Sequence, residues 1–158
     1  MSVPKEVTVA TVEDELDGIK SYASRHGWDV SWNPEILRLT FEGIHPNDGM
    51  KVRIVANVDG YRALPPSWTF ENPAESQPKQ PFFPKAGTPK GGQGSIFHGS
   101  NTMCAPFNRL AYKQHGGPHG NWGGPECWLN VKGHIRETNL AGMFASIIVH
   151  LKASPGMK

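Results

Sequence analysis

Near the start of the chain, apolar residues recur every three or four positions, which is the spacing of one face of an α-helix. They are Val12, Leu16, Ile19 and Ala23. Thr11 followed by Asp14 has the pattern of a capping box and predicts the start of this helix. Gly27 predicts its end, because glycine commonly follows the last helical turn.

A second apolar stripe with helical spacing lies near the C-terminus. It comprises Leu140, Phe144, Ile147, Ile148 and Leu151. Thr138 or Asn139 is expected to cap this helix at its start, and Pro155 with Gly156 to end it. Because its apolar face must be covered, we expect the helix to pack across a sheet.

Between the two predicted helices, apolar and polar residues alternate as they do in β-strands. The alternating stretches are 28–32, 37–41, 50–58 and 65–70. Turn-forming residues separate them at Asn33-Pro34 and at 45–49. Pro65 and Pro66 suit a strand's first residues or a sheet edge, because proline donates no backbone hydrogen bond. The pattern predicts a four-stranded antiparallel meander and an α+β fold.

The rest of the chain is rich in residues that favour irregular structure. Prolines and glycines crowd the segment 72–95, which predicts a surface loop. Glycines, prolines, histidines and tryptophans crowd 96–133, a composition typical of a functional segment. A chain of 158 residues suffices for one hydrophobic core, so we expect one domain over 1–158.

The charge and hydropathy of the chain limit the classes of partner that we expect for it. The net charge is only +2 with basic residues spread along the chain, so we expect neither nucleic acid nor a membrane as partner. No apolar run has the length of a membrane span, and the N-terminus lacks a signal-peptide pattern. We therefore expect a cytoplasmic protein without a cofactor, whose two cysteines stay reduced.

The two cysteines are candidates for chemistry, and their surroundings differ. Cys104 lies among small and polar residues, whereas Cys127 lies between Glu126 and Trp128. We predict that Cys104 is the accessible, reactive thiol and that Cys127 is structural. The alternative for Cys104 is a buried apolar role beneath Pro106 and its neighbours.

One segment carries a resemblance to a known family. The residues 60–70 read GYRALPPSWTF. They resemble the Tyr-Pro-x-x-Pro-Pro-x-hydrophobic-x-Phe signature of ubiquitin-conjugating enzymes, with Arg62 in place of the first proline. The order of predicted elements is also similar to that fold. In this family the active cysteine follows the fourth strand, where Cys104 stands, and Trp122 or Trp128 would match the family's tryptophan beyond it.

The segments 104–112 and 116–119 resemble the bacterial branch of this family. That branch is encoded beside a ubiquitin-like protein, an activating enzyme and a peptidase in antiviral defence operons. The resemblance implies that Cys104 accepts a ubiquitin-like protein from an activating enzyme as a thioester and passes it to a lysine of a target protein. The family's His-Pro-Asn sequence occurs here only at 45–47, between two predicted strands, where we interpret it as a turn.

A thioester carrier needs a thiolate and donors for the tetrahedral oxyanion. His98 and Arg109 are candidate positive influences on the thiol of Cys104. Asn101 and Asn108 are candidate oxyanion donors, although each is also an ordinary turn former. The resemblance implies a scaffold role for four other residues, which are Tyr61, Pro65, Pro66 and Trp68.

Three alternatives remain open from the residues alone. A zinc site is one, with ligands drawn from Cys104, Cys127, His115 and His119, but paired Cys-x-x-Cys ligands are missing, so we expect these histidines to serve the loop and no metal to be bound. A cysteine hydrolase pairing Cys104 with His115, His119 or His134 is another. The third is a non-catalytic adaptor with the same fold, which binds the ubiquitin-like protein or its activating enzyme.

Overall fold

In a computed structural model the chain is an α+β protein, described over residues 2–76, 81–92, 94–132 and 135–158. The helices are α1 (Lys5–Arg25) and α2 (Leu140–Ala153), and the strands are β1 (Asp29–Asn33), β2 (Arg38–Ile44), β3 (Lys51–Asn57) and β4 (Ser67–Glu71). Short 3₁₀ helices at Arg109–Ala111, Lys113–His115 and Pro125–Asn130 interrupt the segment between β4 and α2. Among the described residues, no helix is long and apolar enough to cross a membrane.

The four strands form one antiparallel sheet in the order β1-β2-β3-β4, which confirms the predicted meander. The predicted packing of α2 across this sheet is also confirmed. Phe144 of α2 stacks on Phe41 of β2 with ring centroids 4.1 Å apart, and Trp28 meets Phe144 edge-on. Aromatic pairs in these arrangements add to the burial of apolar area. The core therefore lies between the sheet and the helices.

The start of α1 differs from the prediction. The helix begins at Lys5 behind Pro4, and Thr11 lies inside it, where its hydroxyl donates to the carbonyl of Val7. Proline suits a helix start because the first amides have no helical partner. The predicted cap at Thr11 was therefore wrong, whereas the end is confirmed: the last helical residue is Arg25, and Gly27 follows with a φ of +77°.

Glu15 joins α1 to the start of α2. One carboxylate oxygen accepts from the amide of Leu140 at 2.7 Å, and the other accepts from the Tyr61 hydroxyl at 2.8 Å. Asn139 caps α2 as predicted, with its side chain accepting from the amide of Gly142. The peptide bond between Tyr61 and Arg62 is cis.

The other end of α2 is braced by a buried histidine. His45 lies in the turn between β2 and β3, with its Nε2 3.2 Å from the Ser154 hydroxyl. Asn47 in the same turn donates to the carbonyls of Lys152 and Ser154. The His-Pro-Asn sequence at 45–47 thus forms a turn, as predicted, and ties that turn to α2.

The outer edge of β4 is covered by the segment that follows Cys104. Asn108 is fully buried, and its side-chain oxygen accepts from the amides of Trp68 in β4 and Leu110. Its side-chain nitrogen donates to the carbonyl of Met103 at 2.8 Å. An unpaired strand edge is open to pairing with other chains, and the contacts of Asn108 help to cover the edge of β4. The same contacts position the segment that contains Cys104.

We expect Asn108→Ala to lower the free energy of unfolding by about 3 kcal/mol, because it leaves the buried Trp68 amide and Met103 carbonyl without partners. The measurement is urea denaturation followed by fluorescence. The matched control is Asn33→Ala, which removes an exposed bond to the amide of Glu35 and should cost under about 0.5 kcal/mol. Equal effects of the two substitutions would contradict the assignment.

We expect stability to fall as the pH drops below about 6.5, the usual pKa of histidine. Burial lowers the pKa of both His45 and His150 in the folded protein, and in His45 this outweighs the nearby Asp48 carboxylate. The unfolded chain then binds more protons, so each histidine contributes a slope of up to about 1.4 kcal/mol per pH unit. The stability is present above pH 6.5 and is lost as the pH falls through the folded pKa values.

Urea titrations between pH 7.5 and 5 measure this slope, and His150→Gln should reduce it. A free energy of unfolding that is constant or rises as the pH falls over this range would show that the two buried histidines are not held neutral by the fold.

Candidate active site around Cys104

Cys104 lies at a cavity of about 390 Å³ between two parts of the irregular segment. Its walls are formed by Gly94, Ser95, Ile96, His98, Ala105, Pro106, His119, Trp122 and Ile135. The lining combines small residues with the rings of His98, His119 and Trp122, and the cleft is partly open to solvent. The volume is within the range of small-ligand sites.

Hydrogen bonds from α2 fix the position of Cys104. Nδ1 of His150 accepts from the amide of Ile96 at 3.3 Å, and the carbonyl of Ile96 accepts from the amide of Cys104 at 2.7 Å. The neighbouring residues Phe97 and Met103 pair as an antiparallel bridge. The cysteine backbone is therefore held on a short hairpin anchored to a helix, rather than on a free loop.

The burial of the two cysteines is the reverse of the sequence prediction. Cys104 is 9% exposed, whereas Cys127 is exposed to solvent. Pro106 and Phe107 are buried beside Cys104, which explains why a cysteine between loop residues is covered. Burial raises the pKa of the Cys104 thiol to about 11, since a thiolate is costly away from water. Access to this sulfur runs through the cavity.

Two imidazoles face the same sulfur. A nitrogen of His98, a nitrogen of His119 and Sγ of Cys104 all lie within 4.8 Å of one another. His98 is exposed at the start of the hairpin turn, and His119 is half-buried. The cluster therefore combines one covered thiol with two imidazoles, which are side chains that serve as proton acceptors and metal ligands in proteins.

His119 is held by stacking and by backbone pairing. Its ring is parallel to that of Trp122, with centroids 3.7 Å apart. Its amide donates to the carbonyl of Ala111, and its carbonyl accepts from the amide of Lys113. Gly117 makes this path possible, because a Cβ there would lie 2.3 Å from the backbone of residues 110 and 111.

Three other predicted site residues lie elsewhere. Asn101 and Asn108 line a different cavity, and neither lines the one at Cys104. Asn101 accepts from the ammonium of Lys158, and the Asn108 amide is occupied by backbone groups. The guanidinium of Arg109 donates to the carbonyls of Pro65 and Asp59. These side chains therefore make structural contacts, and their predicted oxyanion and charge roles stay predictions.

The histidine pairing differs from the set considered for zinc or a hydrolase. His98 and His119 meet Cys104, whereas the exposed His115 and Cys127 are not part of this cluster. His134 lies outside the described residues. Sequence spacing does not reveal the pairing, because the two histidines come from separate turns. The sequence feature that could have indicated the pairing is the presence of a histidine in each of two glycine-containing turns, one on either side of the cysteine.

Comparisons of the chain with protein-family models, with curated proteins and with solved structures gave no match. The functional interpretation therefore rests on the geometry around Cys104 and on the residues that support it.

We expect iodoacetamide to alkylate Cys127 before Cys104 at pH 7.5 in the presence of a chelator, because Cys127 is exposed and the pKa of Cys104 is raised to about 11. The Cys104 rate should rise about tenfold per pH unit between pH 8 and 10, as the thiolate fraction rises. Peptide mass spectrometry of a time course follows both sites in one sample. A Cys104 rate equal to that of Cys127 at pH 7.5 would contradict the burial.

Proposed function

We propose that this chain is a conjugating-type thioester carrier. Cys104 accepts the C-terminus of a ubiquitin-like protein from an activating enzyme and transfers it to an amine, the side chain of a target lysine. The observation that carries the proposal is that the Cys104 sulfur can be reached through a cleft, which His98 and His119 also line.

The fold supports the proposal through the residues that resemble the conjugating-enzyme signature. Tyr61, Pro65, Pro66 and Trp68 are all buried, as a scaffold role requires. Trp68 is tied by its amide to Asn108, which also holds the carbonyl next to Cys104. In this interpretation the helix, meander and second helix form a ubiquitin-conjugating-like fold, and the signature positions the cysteine hairpin without taking part in the chemistry.

The shape of the cleft suits an extended, glycine-rich tail. Gly94, Ser95 and Ala105 present little side-chain bulk along the wall next to the sulfur. The rings of His98, His119 and Trp122 also line the cleft, and in this proposal the narrow peptide reaches the sulfur where a bulky side chain would not. The target amine would approach the bound carbonyl from the open side.

Charging is an exchange between two thioesters. The Cys104 thiol loses its proton to a nearby base, and the resulting thiolate attacks the carbonyl carbon of the donor thioester. The new carbon–sulfur bond forms as the bond to the activating enzyme's sulfur breaks, and that sulfur leaves as a thiolate. His98 or His119, both within 4.8 Å, is the proton acceptor in this proposal.

Transfer reverses the role of the sulfur. The amine attacks the Cys104 thioester carbonyl, the carbon–sulfur bond breaks as the amide bond forms, and the proton lost by the amine nitrogen passes to the departing Cys104 thiolate. A thioester is neutral, so its location in a largely buried site carries no charge penalty. Because a thioester is already an activated acyl group, the enzyme mainly has to orient the amine and to exclude water from the site.

We expect the purified protein to form a reductant-sensitive adduct with a ubiquitin-like protein and its activating enzyme, in the presence of ATP and a chelator. Cys104→Ala should abolish this adduct, because it removes the attacking sulfur. His98→Ala should slow its formation by about 10²-fold if that imidazole is the base. Gel electrophoresis with and without reductant measures the adduct.

Cys127→Ser is the matched control, because it removes the other thiol and should leave charging unchanged. An adduct that survives Cys104→Ala, or none with a folded wild-type protein, would overturn the carrier function. Complex formation without an adduct, measured by calorimetry, would instead favour the adaptor.

A further inference from the structure

We propose that His98, Cys104 and His119 form a binding site for Zn²⁺, with one coordination position open to the cavity. The metal site stands on the geometry of these three side chains and does not depend on the proposed carrier function.

The donor set is one that zinc prefers. A thiolate and two imidazoles are borderline-soft ligands, and sites with three protein ligands keep a fourth position for water or another ligand. The binding energy of the metal also offsets the cost of forming a thiolate in a buried place, since coordination deprotonates the thiol outright.

The distances are close to those of a loaded site. Zinc–sulfur and zinc–nitrogen bonds of about 2.3 and 2.0 Å place ligand atoms of a tetrahedral ion roughly 3.4–3.6 Å apart. The three ligand atoms lie within 4.8 Å of one another, so a contraction of the cluster completes the site. His98 is exposed, so rotation of its side chain can bring its nitrogen closer to the other two ligand atoms.

Trp122 restricts the movement of His119, one of the three proposed metal ligands. Its ring stacks on His119 at an interplanar angle of 4°, which limits rotation of the imidazole. Trp122, His119, Cys104 and His98 all line the same cavity. A bound ion would therefore face the cleft, and its fourth position would be accessible to water or a small anion.

The proposed site has a consequence that rests on the carrier function. The Cys104 sulfur cannot both coordinate zinc and attack a thioester, so zinc and the ubiquitin-like protein compete for it. Micromolar zinc would then inhibit charging, and a chelator would restore it.

Cobalt is the direct probe, because Co²⁺ bound to a thiolate gives a ligand-to-metal absorption in the near ultraviolet and intense visible bands when tetrahedral. We expect one equivalent of Co²⁺, added to the full-length protein without any partner, to produce both signals. Excess Zn²⁺ should abolish them. Wild-type protein that shows neither signal would overturn the metal site.

Substitutions identify the ligands. Cys104→Ser should remove the near-ultraviolet absorption, and His119→Gln should weaken Co²⁺ binding at least tenfold. Cys127→Ser and His115→Gln are the matched controls, since both residues are exposed and outside the cluster, and neither should change binding. Loss of the signal in Cys127→Ser, or its retention in Cys104→Ser, contradicts the proposal.

Two further measurements separate the outcomes. Circular dichroism shows whether each variant is folded, and where His119→Gln is not, His98→Gln at the exposed ligand repeats the test. Zinc should also protect Cys104, but not Cys127, from alkylation in the same molecule. Because these experiments contain no activating enzyme, failed metal binding leaves the carrier function standing, and failed charging in chelator leaves the metal site standing.

Discussion

The site depends on the hydrogen bonds that hold the Cys104 hairpin between α2 and β4. On one side His150 accepts from Ile96, whose carbonyl accepts from the amide of Cys104. On the other side Asn108 joins Met103 to Trp68 at the sheet edge. Two independent anchors thus hold the backbone on either side of the Cys104 sulfur, and a reactive group is placed most accurately on such supported backbone.

Burial of the Cys104 sulfur disfavours its thiolate, the reactive form of the side chain. Its surroundings raise the pKa of the thiol to about 11, so the isolated protein holds Cys104 as a neutral thiol near pH 7. Both proposals give the nearby imidazoles of His98 and His119 a role at this sulfur, as proton acceptors in one and as fellow ligands of a metal in the other.

Much of the fold could be predicted from hydrophobic periodicity, because α1, α2 and the four strands each bury one face. Capping signals were less reliable where more than one residue could start the same helix. The capping pattern at Thr11 lies inside α1, since Pro4 provides an earlier start and the apolar face continues towards it. The cap at Asn139 was predictable because no earlier apolar turn competes with it.

The site itself was predictable only in its cysteine-containing segment. Which thiol is covered depends on how Pro106 and Phe107 pack, and sequence gives no measure of that. The convergence of His98 and His119 depends on two separate turns, one closed by the pairing of Phe97 with Met103 and the other by the pairing of Tyr112 with His119. Asn108 resembled a turn residue with a catalytic alternative, and only its contacts across the sheet edge reveal its structural role.

The central claim is that one covered sulfur, reached through a histidine-lined cleft, carries the acyl group. Tandem mass spectrometry of the reductant-sensitive adduct tests it most directly, by locating the bond between the modifier's C-terminal carbonyl and this chain. The bond should lie on the peptide that contains Cys104. A bond at Cys127, with Cys104 unmodified, would contradict the claim.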